Sequence, residues 1–263
     1  MKVNKSASRA MDILDLIAER KELLTITDIG RILGIPKSTA FELIHALVAK
    51  GYLEIDKYRL KTFKLGLKAF QTGIAYLEKT DFFRETRPLL EGLMEQSRET
   101  VFLVQETSGK VVYVDKVEST ASVKTSSVLG STNPMHCTGV GKALLAAYRA
   151  ERVREITDLH GLIAKTPYSI TDLGQLLTDL DTTRNRGYAI DNRESELEIF
   201  CVAAPVYEMS GNVIAAISVA SPASRMVGNP RRIRQMGRMV SETALAVSHR
   251  LGYRGEKLYP GKA

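Results

Sequence analysis

The chain has few of the residues that build disulfide frameworks or metal sites. Only Cys137 and Cys201 occur in 263 residues, so a stapled scaffold is excluded and a reducing compartment fits. The four histidines include no pair at ligand spacing, which argues against a structural zinc. Long apolar runs are also missing. The longest, near Val213–Ala220 and Phe200–Val206, fall far below the roughly 20 residues that a membrane span requires. Residues 1–20 are amphipathic and charged, unlike a secretory signal. A soluble cytoplasmic protein without membrane partner, metal or cofactor is expected.

What is present suits a globular chain: 44% hydrophobic residues over a length that accommodates two modest domains. The net charge of +7 is unevenly spread. Residues 1–68 hold 13 Lys and Arg against 8 Asp and Glu, whereas 69–263 hold 24 against 22. A basic segment ahead of a nearly neutral body suits an anion-binding module attached to a larger unit; a solvated surface gives the same count.

Within the basic segment, Ala10, Ile13, Leu14, Leu16 and Ile17 recur at helical spacing behind Ser8, which predicts a helix over 9–20 capped by Ser8. Thr27 is the expected cap of a second helix, 28–33, ended by Gly34. Pro36 suits the first turn of a third, "KSTAFELIHALVAK", whose Ala40, Leu43, Ile44 and Leu47 share one face before Gly51. Two helices joined at Gly34-Ile35 read as a helix-turn-helix. Near the start of its second helix stand Lys37, Ser38, Thr39, Phe41 and Glu42, where free backbone N–H groups and short hydroxyls favour a phosphate or a base edge. The following "YLEIDKYRLKTFKLG" alternates like a hairpin and carries Lys57, Arg59, Lys61 and Lys64, as a wing gripping phosphates would. Its tip has no Gly or Pro turn signal. The same helical trio also serves protein-interaction modules, so both readings stand on these residues alone.

From Leu67 the stripe Leu67, Phe70, Ile74, Leu77 suits a helix that pairs with another helix or packs on its own domain. Pro88 opens or kinks the next helix, with Leu89, Leu90, Leu93 and Met94 on its apolar side. Two hairpins are expected, 100–117 around Ser108-Gly109 and 200–220 around Ser210-Gly211. Helices near 139–149, 150–158 and 172–186 lie between them, and one near 230–251 closes the body. The arginines Arg231, Arg232, Arg234 and Arg238 on that last helix read as a solvated face, with a DNA or partner contact as the alternative. This order predicts an α/β (α+β) body with an antiparallel sheet whose face and loops can enclose a small ligand.

"PMHCTGVGKALLAA", 134–147, invites comparison with phosphate loops and nucleophile sites. A P-loop needs a glycine where His136 stands and a hydroxyl where Ala143 stands, so nucleotide hydrolysis is excluded. Adjacent His136 and Cys137 cannot form a nucleophile–base pair locally, and no orienting acid lies at a telling spacing; no enzyme is expected. What remains is a glycine turn feeding a small-residue helix, which either packs a helix on the sheet or offers N–H donors to an anion.

Together, "SRAMDIL", "LGIPKSTAFELIHALVAKGYLE", "PMHCTGVGKALLAA", "RGYAIDNRESELEIFCVAAPVYEMSGNVIAAISVASP" and "SHRLG" resemble the IclR-type transcriptional regulators in order and spacing over nearly the whole chain. The resemblance implies a winged helix-turn-helix over 1–66, a linker or dimerisation helix over 67–80, a GAF-like effector domain over 81–255 and a flexible tail over 256–263. It implies a homodimer or homotetramer that binds double-stranded operator DNA, as a repressor, and responds to a small effector such as a carboxylic acid or a sugar-derived metabolite. Carried over by position, the effector pocket would be lined by Thr125, Asn133, Gly139, Val140, Asp191, Ile199, Cys201, Ser218 and Ala220.

Some residues depart from the family pattern. Ala220 stands where some members have serine, and Glu198 replaces a common glycine, placing an acid at the expected pocket rim. Phe41-Glu42 replaces a polar residue followed by arginine; Glu42 repels phosphate but can accept from cytosine N4. Two rival readings are kept: a ligand-sensing module that does not bind DNA, and an enzyme using Cys201 or Cys137 as a thiolate.

Overall fold

Asn4 opens the first helix. Its side-chain oxygen accepts from Ser6 N at 3.0 Å and Ala7 N at 3.1 Å, so α1 (Lys5–Glu19) begins ahead of the expected Ser8 cap. After β1 (Leu24–Thr25), Thr25 caps α2 (Ile26–Ile32) in place of Thr27. Asp28 N donates to Thr25 Oγ1 at 3.2 Å and Thr25 N donates back to Asp28 Oδ2 at 3.1 Å, a reciprocal box that Thr27 could not make with this acid. Pro36 stands at the N-cap of α3 (Lys37–Ala49), one position ahead of the expected first turn. β2 (Leu53–Ile55) and β3 (Thr62–Leu65) complete a three-stranded antiparallel sheet in the order β1-β3-β2, and α4 (Leu67–Glu78) follows. One cluster, including Ile13, Leu16, Ile29, Ala40, Ile44, Leu53 and Phe63, forms the core of this unit.

Here the computed structural model describes residues 4–59, 61–78, 81–125 and 127–259, apart from the side chains of 76–78 and 81. The expected Leu77 contribution to the linker stripe therefore lies outside the described residues. The chain divides into two compact units, Met1–Asp81 and Phe82–Ala263.

The second unit follows α5 (Asp81–Ser97), which contains Pro88 within its length. Its strands are β4 (Thr100–Thr107), β5 (Lys110–Val117), β6 (Thr132–Pro134), β7 (Ala189–Asn192), β8 (Ile199–Tyr207) and β9 (Val213–Pro222). They form one antiparallel sheet in the order β6-β5-β4-β9-β8-β7. The two expected hairpins are β4–β5 and β8–β9; the short β6 and β7 add the edges. α6 (Gly139–Ala147), α7 (Ala150–His160) and α8 (Leu173–Arg186) lie between β6 and β7. α8 ends at Gly187, whose φ of 89° is a left-handed cap natural to glycine. α9 (Ala223–Met226) and α10 (Pro230–Arg250) close the unit.

The central strands are buried on both faces, so successive residues point to opposite sides and helices cover both. α6 covers the side bearing Cys201 and Ala203. α10 packs on β8 and β9 through Val240, Ala244 and Val247. In the expected tail, Leu258 is buried and Tyr259 Oη donates to Ala143 O at 3.2 Å; residues 260–263 lie outside the described ones.

Candidate functional site

The first set of expected site residues is on the surface of the N-terminal unit. On α3, Lys37, Ser38, Phe41 and Glu42 are exposed and Thr39 is half-buried, while Ala40, Ile44 and Leu47 hold the other face in the core. His45, which the sequence pattern did not single out, lies one turn beyond Phe41 with ring centroids 4.1 Å apart. The spacing of four on a helix was the available signal. Together the two rings make an aromatic platform in the middle of the exposed face.

Asp56 forms the hairpin turn that has no Gly or Pro. Its Oδ1 accepts from Tyr58 N at 2.9 Å and Arg59 N at 2.8 Å, so a carboxylate organises the backbone there. The same bonds hold that carboxyl below its usual range. Lys61 takes a left-handed φ of 76° as the chain returns. Arg59 and Lys61 are exposed; Lys64 also points outward but lies across the strands from Glu54, with Nζ 4.0 Å from its carboxylate, which offsets part of its charge.

The second set converges inside the other unit. Thr125, Asn133, Gly139, Val140, Asp191, Ile199, Cys201, Ser218 and Ala220 all line one cavity of about 140 Å³. Sheet register brings them there: Asp191 pairs with Cys201 and Cys201 with Ala220, a row across β7, β8 and β9, while Phe102 pairs with Ser218. Alternation adds Ile199 beside Cys201 and Ser218 beside Ala220. The wall opposite is the start of α6, where Thr138 Oγ1 accepts from Gly141 N at 3.2 Å. The N–H groups of Gly139 and Val140 have no partner within their own helix. Gly141 is fixed by close approach, because a Cβ there would stand 2.3 Å from Met135 Cα.

Phe102, Tyr113, Lys124, Ser127, Thr138, Ser195 and Glu196 also line the cavity, and the sequence pattern did not point to them. Thr138 was findable as the helix cap and Phe102 by strand register. Glu198, expected at the rim, is exposed and does not line the cavity; its backbone carbonyl accepts from Ala223 N at 2.8 Å, which ties it to the start of α9. Glu196 supplies the rim acid instead.

Burial governs the chemistry of this wall. Asp191 is buried, which raises its carboxyl above the usual range despite hydrogen bonds from Ser195 Oγ at 2.6 Å and Glu194 N at 2.7 Å. Desolvation likewise pushes Cys137 up to about 12 and Cys201 well above an ordinary thiol. Both stay protonated at neutral pH, so neither supplies a thiolate nucleophile, and Cys201 serves as a soft wall. His136, lowered by burial, bonds through Nε2 to Ile163 O at 3.0 Å.

Behind the cavity lies a buried ionic cluster. Lys142, facing inward from α6 and only 1% exposed, places Nζ 2.6 Å from Glu194 Oε1 and 3.0 Å from Asp179 Oδ2. Burial outweighs this attraction at Glu194 and pushes it to about 7. Because Glu194 N also donates to Asp191, Lys142 anchors the turn that carries Ser195 and Glu196 over the cavity. Lys142 thus belongs to a buried charge cluster, a role unrelated to the phosphate-loop lysine its Gly-Lys context suggests.

Among the described residues, no single helix is long and apolar enough to cross a membrane.

Residues 74–249 match the model of the bacterial transcriptional regulator IclR C-terminal domain, and residues 6–57 that of the IclR helix-turn-helix domain. The chain is 34% identical over 248 residues to the HTH-type transcriptional repressor AllR of Klebsiella pneumoniae, covering 94% of this chain and 90% of that protein. Its fold is similar to the crystal structure of the Thermotoga maritima IclR, with TM-score 0.71, 28% identity and 95% and 99% of the two chains covered. It is also similar to an IclR homolog from Microbacterium hydrocarbonoxydans solved in complex with 4-hydroxybenzoate, with TM-score 0.79, 22% identity and coverage of 94% and 98%. An exposed helix beside a basic hairpin, a cavity in an antiparallel α/β unit, and matches spanning both units lead to one conclusion: the chain belongs to the IclR family of bacterial transcriptional regulators.

Proposed function

We propose that the protein is a repressor that binds operator DNA through α3 and the β2–β3 hairpin and releases it when a small effector fills the cavity at the start of α6. Residues 1–66 form the DNA-binding part, 67–80 a linker whose helix α4 pairs with a second copy, and 81–255 the effector domain. The observation that carries this reading is the convergence of residues from all six strands of the sheet, the start of α6 and the connecting loops on one cavity, in a chain that also presents an exposed helix face beside a basic hairpin. In this reading Lys37, Ser38, Thr39, Phe41 and Glu42 face the major groove, while Arg59, Lys61 and Lys64 meet backbone phosphates. His45 joins them through its contact with Phe41.

The effector class follows from the lining. Gly139 and Val140 N–H groups at a helix N-terminus favour a carboxylate. Asp191, raised by burial, and Ser218 and Thr125 favour a hydroxyl or carbonyl at the other end. A small hydroxy or keto acid satisfies both, in keeping with the hydroxy acid held by the Microbacterium homolog. Leu67 and Phe70 on α4 are each 65% exposed, an apolar stripe that a second copy would cover to give a homodimer or homotetramer. Two copies suit two half-sites, and the effector acts by binding one arrangement of them more tightly than the other.

The test is fluorescence anisotropy on DNA from upstream of the protein's own gene, with excess nonspecific DNA. The Ser38→Ala, Thr39→Ala double variant should lose preference for that DNA while keeping its melting temperature. Unchanged preference would remove α3 from the reading role.

A further inference from the structure

We infer that the effector unit holds a second ligand site, a pocket between the end of α5 and the start of α10 that binds inorganic phosphate or the phosphoryl group of a small metabolite. The pocket encloses about 390 Å³ and shares no lining residue with the effector cavity. Arg98, Arg231 and Arg232 line it together with Gln96, Gln235 and Asn229, and no acid is among the lining residues.

Its charge is unbalanced. Glu99, 1% exposed, is the buried counter-ion: Oε1 takes Arg232 Nη2 at 2.9 Å and Ser221 Oγ at 2.9 Å, and Oε2 takes Arg225 Nη1 at 2.8 Å. Both of its oxygens are therefore used. The side chains of Arg98 and Arg231 have no partner among the described residues. Three arginines against one carboxylate leave a surplus of two positive charges at the pocket, even before Arg225 is counted.

A second observation singles out the same place. Arg232 Nε is buried without a hydrogen-bond partner, an orphan donor on a residue that lines the pocket. Buried donors are rarely left unpaired, because each costs the desolvation of the group. The first turn of α10 adds another donor. Pro230 has no N–H and Asn229 Oδ1 accepts from Arg232 N at 3.1 Å, so the Arg231 N–H is left without an intrahelical partner.

This donor set selects among anions. Guanidinium forks, three side-chain amides and a helix N–H can occupy several acceptor oxygens at once. A phosphoryl group near pH 7 carries about two negative charges and three or more such oxygens, matching the surplus and the donors. A monocarboxylate has one charge and two oxygens and leaves part of the set unmet.

Isothermal titration of the full chain in low-salt buffer free of phosphate and sulfate tests the site, with inorganic phosphate in one arm and glucose 6-phosphate in the other. Saturable one-site binding is expected below about 10 mM, at least about tenfold weaker in Arg231→Gln and in Arg98→Asn. Arg231 is exposed, and asparagine tolerates the φ of 58° at position 98, so both variants should fold; equal melting temperatures check this. Cys201→Ser, on the other cavity, should leave the binding unchanged. The tighter arm identifies the source as free anion or metabolite. Failure of both ligands to saturate, or saturable binding that both arginine variants leave intact, would overturn the inference.

Discussion

In the first unit most of the polar side chains assigned to DNA stand in water on α3 and the hairpin; in the second, Thr125, Thr138, Asp191 and Ser218 on the cavity wall are buried, and Asp191 is held by Ser195. Lys37, Arg59 and Lys61 are exposed, whereas Lys142 is closed in by Glu194 and Asp179. The same residue type therefore does two jobs. On the surface a lysine contributes a long-range, salt-screened attraction suited to a polyanion. Inside, it fixes geometry at a large desolvation cost and is screened little by salt. A regulator needs both kinds: a surface that finds DNA quickly and a rigid pocket that distinguishes one small molecule from another.

The buried side of this comparison should break first. Lys142→Ala leaves two carboxylates facing each other without a cation and should cost about 3–5 kcal/mol of stability in the effector unit, read by urea unfolding. A destabilisation below about 1 kcal/mol would mean that the cluster is hydrated and holds little.

A pH series on Glu194→Gln sharpens the same point. Glu194 keeps its proton to about pH 7 when folded but releases it near 4.5 when unfolded, so the folded state holds more protons between those values. Stability therefore falls as pH rises through this window. The variant should flatten that fall in melting temperature; Asp191, raised for the same reason, leaves a residual slope of the same sign.

The exposed side should answer to salt. Charge reversal at Arg59 and Lys61 should weaken DNA binding and lower the slope of log affinity against log salt by about one unit for each phosphate no longer neutralised. Melting of the effector unit should not move. An unchanged slope would favour a ligand-sensing module that does not hold DNA. The smallest effect belongs to Gly73, on α4, where an added Cβ meets nothing within 4 Å. Gly73→Ala should raise stability by about 0.5–1 kcal/mol in thermal or urea melts.

How much of this could be read from the sequence differs between the units for physical reasons. Helical periodicity and the Gly34-Ile35-Pro36 break are local signals, so α1, α2 and α3 were legible, although their caps were not. By residue type Ser8 and Thr27 are as suited to capping as Asn4 and Thr25, and only the reciprocal bond to Asp28 decides for Thr25. The Asp56 turn was hidden for a similar reason, because a carboxylate accepting two backbone N–H groups leaves no Gly or Pro in the sequence. The cavity is a non-local object. Its nine expected residues came from family resemblance, while Phe102 and Tyr113 enter through strand register across the sheet. Lys142 and Glu194 lie 52 positions apart, and no spacing rule announces a pair of that kind.

The most direct measurement is operator affinity with and without small hydroxy and keto acids, for the wild type and for a Ser218→Phe variant with its cavity filled. If the cavity switches the reading helix, one acid will change operator affinity in the wild type, and the variant will bind the operator normally but ignore that acid. An acid that releases DNA equally well from both proteins would contradict the cavity's role as the switch.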